Sequence, residues 1–187
     1  MVKKILVGLG SLIVLVVAVG FLLPSTVHVE RSIMVDAPAA AIFPWVNDFK
    51  KSNQWSPWAD RDPEMKREIS EPSFGVGATL SWESDQDDVG TGSQTIVESV
   101  ADKRVVTELD FGEQGGGKAS FDLVEGDGST EVTWAFHTDF GMNLVGRYVG
   151  LMFDGMIGPD YEAGLVNLKR TVESQPPPAP EAVAPEA

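Results

Sequence analysis

The chain has 187 residues, and an apolar N-terminal stretch ending at Leu23 and a Pro/Ala/Glu tail from Gln175 leave a middle block of 151, the size of one domain with a full core. It contains no cysteine, which excludes thiol catalysis, Cys-ligated zinc and iron–sulfur clusters while leaving the redox compartment open. The middle block holds 12 of the 14 Lys/Arg and 26 of the 28 Asp/Glu and so carries the whole formal charge of −14, a surface that repels phosphate backbones and argues against nucleic acid or anionic headgroups as partners.

Ile5 to Leu23 are 19 consecutive uncharged positions, about 28 Å of helix against a hydrocarbon core of about 30 Å. Residues 1–23 are therefore read as a single transmembrane anchor. The alternative is a cleaved signal peptide with Ala18-Val19-Gly20 as its small-residue site, but Phe21-Leu22-Leu23 continues the apolar run past that point. Lys3 and Lys4 precede the span, so the positive-inside bias puts the N-terminus in the cytoplasm and residues 24–174 outside it. In a Gram-negative bacterium this is an inner-membrane protein with a periplasmic domain. No Cys follows the run, which excludes a lipoprotein anchor. At the other end, residues 175–187 lack buriable periodicity and read as a disordered, solvated Pro/Ala/Glu tail.

After the anchor, Val27, Val29, Ile33 and Val35 alternate with polar positions, the period of a half-buried strand, and Arg31 interrupts its apolar face. Asp36-Ala37-Pro38 then opens a short amphipathic helix carrying Ile42, Val46 and Phe49, with Pro38 at its first position and Pro44 predicted to kink or weaken it. From Met65 to Thr138 strand follows strand. Ala78, Leu80 and Trp82 alternate, Asp85 to Asp88 turn the chain, and Gly90 to Val100 extend. Val105, Thr107, Leu109 and Phe111 alternate next, Gly115-Gly116-Gly117 form a loose turn into Ala119, Phe121 and Leu123, and Asp127-Gly128 gives a hairpin before Val132, Trp134 and Phe136. The pattern is an antiparallel meander with one apolar face. Helical periodicity returns from Asn143 to Glu173, with a kink or restart expected at Gly158-Pro159; Asp160 and Glu162 after it and Lys169 and Arg170 near the end suit a helix dipole.

Motifs that carry chemistry are mostly missing. Gly75-Val76-Gly77 leads into a strand and reads as a turn, and Asp85, Asp87 and Gly90 begin like a calcium loop but have Val89 and Ile96 at ligand positions. His28 and His137 have no second ligand at metal spacing, and His137 falls on the outer face of its strand. No nucleophile elbow or P-loop is present. Neither a cofactor nor a metal is expected. The positive signal is aromatic: Trp82, Phe111, Phe121, Trp134 and Phe136 occupy the apolar phase of their strands. They fill a core or line a ligand cavity, with Tyr148, Met152 and Met156 approaching from the helix and Trp55 and Trp58 as a lid or corner.

The order strand, short helix, antiparallel meander, long C-terminal helix carries a resemblance. The segments Val29-Glu30-Arg31-Ser32-Ile33 with Asp36-Ala37-Pro38, Phe43 to Asp48, Trp55-Ser56-Pro57-Trp58, Gly77 to Trp82 and Gly90-Thr91-Gly92-Ser93 are part of it. Glu131-Val132-Thr133-Trp134, Gly158-Pro159-Asp160-Tyr161-Glu162, Gly164-Leu165 and Asn167-Leu168-Lys169 complete it. The chain resembles the START-like, or SRPBCC, helix-grip superfamily, in its polyketide cyclase/dehydrase-like branch with an N-terminal membrane segment; Pro44 departs from the pattern. The resemblance implies an α+β helix-grip fold in which a curved antiparallel sheet wraps around the long C-terminal helix, with a hydrophobic small molecule or lipid bound between them. In a minority of members it implies cyclase or dehydratase activity, with no invariant catalytic set to carry over.

The leading reading is a membrane-tethered domain that binds a hydrophobic small molecule or lipid without chemistry. A cyclase or dehydratase-like enzyme is the alternative, with Arg147, Tyr148 and Asp154 on the long helix as proton-shuttle candidates. An envelope scaffold using the acidic face or the tail is the third.

Overall fold

A computed structural model describes residues 2–175, so the expected tail lies, apart from Gln175, outside the described residues. Helix α1 (Val2–Leu22) stands almost wholly exposed, and its composition makes it long and apolar enough to cross a membrane. Strand β1 (Thr26–Val35) follows, then three short helices, α2 (Ala39–Val46), α3 (Phe49–Ser52) and α4 (Pro57–Arg61). The meander comprises β2 (Lys66–Ile69), β3 (Thr79–Glu83), β4 (Thr91–Val100), β5 (Arg104–Asp110), β6 (Gly116–Glu125) and β7 (Thr130–Asp139). Helices α5 (Leu144–Gly150) and α6 (Phe153–Glu173) complete the chain.

All seven strands form one curved antiparallel sheet in the order β1-β7-β6-β5-β4-β3-β2, bulged in β4 between Ile96 and Glu98. Register places the alternating residues on one concave face. Trp82 opposes Gly92, Val105 opposes Phe121, Phe121 opposes Trp134, and Trp134 opposes Arg31. Helix α6 packs across this face against β1 and β7, flanked by α2 and α4. The long helix gripped by a curved sheet is the architecture expected from the element order. Full burial of Ile42, Leu165 and Leu168 between the layers stabilises the fold by about 1.5–3 kcal/mol for each side chain.

Several local expectations change. Pro38 is the N-cap, with ψ 153°, and the helix starts at Ala39. Ile42, Val46 and Phe49 are all buried but belong to two helices, because Asp48 leaves the helical region and caps α3 by accepting from the Lys50 N–H at 2.9 Å. Gly116 and Gly117 lie inside β6, not in a turn; a Cβ at Gly117 would fall 2.6 Å from the Phe136 ring, so the bare strand makes room for that ring. The helical break falls at Leu151-Met152, and α6 runs unbroken through Gly158-Pro159. Pro159 withholds one backbone donor on an exposed turn.

Candidate functional site

The space between sheet and helix is taken by rings. Trp134 stacks on Tyr161 of α6 at a centroid distance of 3.9 Å and on Phe121 at 4.9 Å, and receives the edges of Trp55 at 5.5 Å and Trp58 at 5.8 Å. Trp55 is buried and donates its indole N–H to the Trp45 carbonyl at 3.0 Å, so it belongs to the floor and is no lid. Trp58 is half-buried at the edge of the cluster. Phe136 is covered by Phe153 at 5.9 Å. Among the described residues, Trp134 Nε1 is the one fully buried side-chain polar atom without a hydrogen-bond partner. Burial, and then the neighbouring Asp160 charge, push the Tyr161 phenol up, so it stays protonated.

The open part of the concave face lies toward β3, β4 and β5. Leu80, Trp82, Leu109 and Phe111 are half-buried there. A Cβ at Gly92 would lie 2.7 Å from the Trp82 ring. Its absence lets the indole cross β4 and meet Phe111 edge-on at 6.1 Å. Beside this pair opens a groove of about 580 Å³, lined by Phe111 but otherwise mainly by polar residues, among them Asp85, Asp87 and Asp110. The concave face thus holds an aromatic plug around Trp134 with an apolar shelf at its open end.

Arginines fasten α6 to α4 and to β1. Arg61 of α4 grips the buried Asp160 of α6 through both guanidinium nitrogens, one at 3.0 Å, and its Nε lies 3.6 Å from Asp88 in the β3–β4 loop. Asp160, assigned from sequence to a helix start, is therefore a mid-helix partner of Arg61. Arg31, the interruption in β1, donates to Asp154 at 2.9 Å and Glu162 at 2.7 Å. The bond from Arg31 holds the Asp154 carboxyl below its ordinary range, and Asp154 first and Glu162 second push the Arg31 guanidinium up.

Of the residues singled out from sequence, the structure brings Phe121, Trp134 and Phe136 together in the core and leaves Trp82 and Phe111 half-exposed on the shelf. It sets Tyr148, Met152 and Met156 apart. Tyr148 donates to the Val16 carbonyl of α1 at 2.7 Å, and both methionines are exposed. Arg147 and Tyr148 lie on α5, not on the long helix, and Arg147 donates to the carbonyls of Phe21, Leu23 and Gly141. His28 and His137 oppose each other across β1 and β7, and His28 Nε2 lies 3.0 Å from Glu30 Oε2. Among the described residues no group of three His or carboxylate side chains could hold a metal. Sequence reasoning missed Tyr161, Arg61 and the Arg31 carboxylates; an Arg in the apolar phase of a strand was the available signal.

The profile of the family described as polyketide cyclase / dehydrase and lipid transport matches residues 26–173. The chain belongs to this family. No curated protein matches it in sequence. Among solved structures, the Aha1 dimer from Colwellia psychrerythraea is similar at TM-score 0.57 and 18% identity, covering 79% of this chain and 97% of that one. Norcoclaurine synthase from Thalictrum flavum is similar at TM-score 0.59 and 15% identity, covering 81% and 96%. The di-domain ARO/CYC BexL of the BE-7585A biosynthetic pathway gives 0.59 and 18%, covering 81% of this chain and 52% of that one. These likenesses establish the SRPBCC helix-grip fold.

Proposed function

We propose that this family member binds a hydrophobic small molecule or lipid without catalysing a reaction, and does so on the shelf of Leu80, Trp82, Leu109 and Phe111. The observation that carries this reading is the Trp82–Phe111 pair, made possible by Gly92 and left half-exposed on a concave face whose other aromatics are buried. An apolar ligand there would cover rings that water now touches. The family description, which includes lipid transport, supports the ligand class. The three groups that the sequence offers for proton transfer are engaged elsewhere: Arg147 and Tyr148 with α1, and Asp154 with Arg31. The apolar α1 supports a single-pass tether, and Lys3 and Lys4 ahead of it support a cytoplasmic N-terminus with the domain in the periplasm.

The test is native mass spectrometry of the purified chain, followed by extraction of any apolar molecule that co-purifies and titration with it. Trp82→Ala and Phe111→Ala each remove a ring worth about 1.5–3 kcal/mol over full burial; with about half of each ring already covered by the protein, the ligand accounts for about half of that, and affinity should fall about three- to tenfold. Met152→Ala should leave it unchanged. Equal affinity in all three variants would remove the shelf from the site.

A further inference from the structure

Helix α5 and the turn into α6 have three sides, and only two are occupied. On one side, Leu144 and Tyr148 close on α1, where a Cβ at Gly20 would lie 3.1 Å from the Tyr148 ring and 3.3 Å from Leu144. On the second, Gly146 and Gly150 let Phe140 and Val27 approach the helix backbone. The third side carries Val145, Val149, Met152 and Met156 at helical spacing i, i+4, i+7 and i+11, and Val145, Met152 and Met156 are 73%, 64% and 56% exposed. The stripe stays in phase across the α5–α6 junction because Leu151 and Met152 keep right-handed helical backbone angles. Met142, just before α5, extends it. Four to five large apolar side chains side by side on an otherwise charged domain call for an occupant.

The anchor supplies a ruler for its position. Arg147 donates to the carbonyls of Phe21 and Leu23, so it sits at the last turn of α1, where a cation meets the negative end of the helix dipole and the water-side end of a span. Tyr148 donates to Val16, six residues before Leu22. At about 1.5 Å per residue, that carbonyl lies about 9 Å inside the end of α1. Amphipathic helices that lie in a bilayer surface sink by about 5–10 Å. We propose that Met142–Met156 is a membrane-interfacial element, with Val145, Val149, Met152 and Met156 in the acyl–headgroup boundary beside the anchor. The proposal rests on the reading of α1 as a membrane span. It gives the domain a second, apolar contact with the bilayer that needs no anionic lipid, consistent with the acidic surface. It also fixes which end of the sheet faces the membrane: the start of β1, with the β6–β7 turn at the far end.

The absence of cysteine makes the test direct. Val145→Cys, Met152→Cys, Ile13→Cys and Asp127→Cys are each labelled with a nitroxide in the full-length chain, reconstituted in phosphatidylcholine vesicles. Collision with oxygen, enriched in lipid, is compared with collision with a water-soluble nickel chelate. Ile13 reports the anchor, and Asp127 in the β6–β7 turn reports water. An oxygen-to-nickel ratio at positions 145 and 152 several-fold above that at 127 and near that at 13 supports the proposal. Water-like ratios at 145 and 152 with a lipid-like ratio at 13 overturn it while the anchor stands. A water-like ratio at 13 overturns the anchor reading and the proposal with it. Labels at 145 and 152 that are immobilised and shielded from both reagents indicate a protein partner and also overturn it.

Discussion

Gly164→Ala probes the contact that fills the centre of the fold. A Cβ built at Gly164 lies 2.7 Å from Trp134 Cζ3 and 3.2 Å from Pro57 Cδ, where carbon atoms prefer about 3.5–4.0 Å. The overlap with the indole is thus about 0.8 Å or more. The indole cannot turn aside, because it is stacked between Tyr161 and Phe121 and braced by Trp55 and Trp58. Relief must come from α6 lifting off β7, an overpacking cost of about 1–3 kcal/mol. Alanine returns about 0.8–1 kcal/mol of helix propensity, which leaves a net loss of about 0–2 kcal/mol. Gly155 of the same helix has nothing within 4 Å of its built Cβ, so Gly155→Ala should be neutral or stabilising by up to about 1 kcal/mol. Urea titration of the full-length chain in mild detergent, followed by near-UV circular dichroism, reads both the midpoint and the Trp stack. If Gly164→Ala matches Gly155→Ala with an unaltered near-UV spectrum, α6 does not press on Trp134 as described.

Two further outcomes follow from buried and paired groups. Trp134→Phe removes a donor that has no partner, whereas Trp55→Phe strands the Trp45 carbonyl; the second should cost about 1 kcal/mol or more beyond the first, and the reverse order in denaturant midpoints would refute the assignment. Because Arg31 lowers the folded-state pKa of Asp154, the stability it contributes is fully present above the unfolded aspartate value of about 3.9 and is lost as pH falls through the lower folded value. An NMR titration should place the Asp154 midpoint below about 3.9 and return it there in Arg31→Gln; a midpoint that ignores the substitution would sever the pair.

Periodicity made the sheet legible. Trp82, Phe111, Phe121, Trp134 and Phe136 were readable as one face because alternation is local; register puts Phe121, Trp134 and Phe136 on one face, and Phe111 meets Trp82 edge-on. What periodicity could not convey is how far the helix covers that face. Trp134 and Trp82 look alike in sequence, yet one is sandwiched against α6 while the other rests over Gly92 on the open side. Gly158-Pro159 misled for a related reason. The pair reads as a helix breaker, but Gly158 answers a distant demand: a Cβ there would lie 2.2 Å from the Arg31 guanidinium, so the bare backbone gives that side chain room where α6 crosses it. Tyr148, Met152 and Met156 recur at helical spacing, but spacing alone does not say which face of the helix meets the sheet. The anchor takes Tyr148, and the outward face takes the methionines.

Three arginines join the helices to the rest of the fold. Arg31 joins β1 to the first turns of α6, Arg61 joins α4 to the middle of α6 and reaches toward the β3–β4 loop, and Arg147 joins α5 to the end of α1. Each spreads the fork of a guanidinium over two or more acceptors, Arg31 over two carboxylates of α6, Arg61 over Asp160 and Asp88, and Arg147 over carbonyls of Phe21, Leu23 and Gly141, which a lysine ammonium does less well. In a chain with net charge −14 these three cations sit at junctions between elements, and one of them pairs with the buried Asp160. The open end of the concave face, toward β3 and β4, has the Arg61 junction beside it, whereas Arg31 lies on β1 at the other edge of the sheet. Arg61 ties α4 to α6 and reaches the β3–β4 loop, which Ser84 also holds to the end of α4 by donating to Asp62, so the open end is fastened on its α4 side by polar contacts separate from the Trp134 stack.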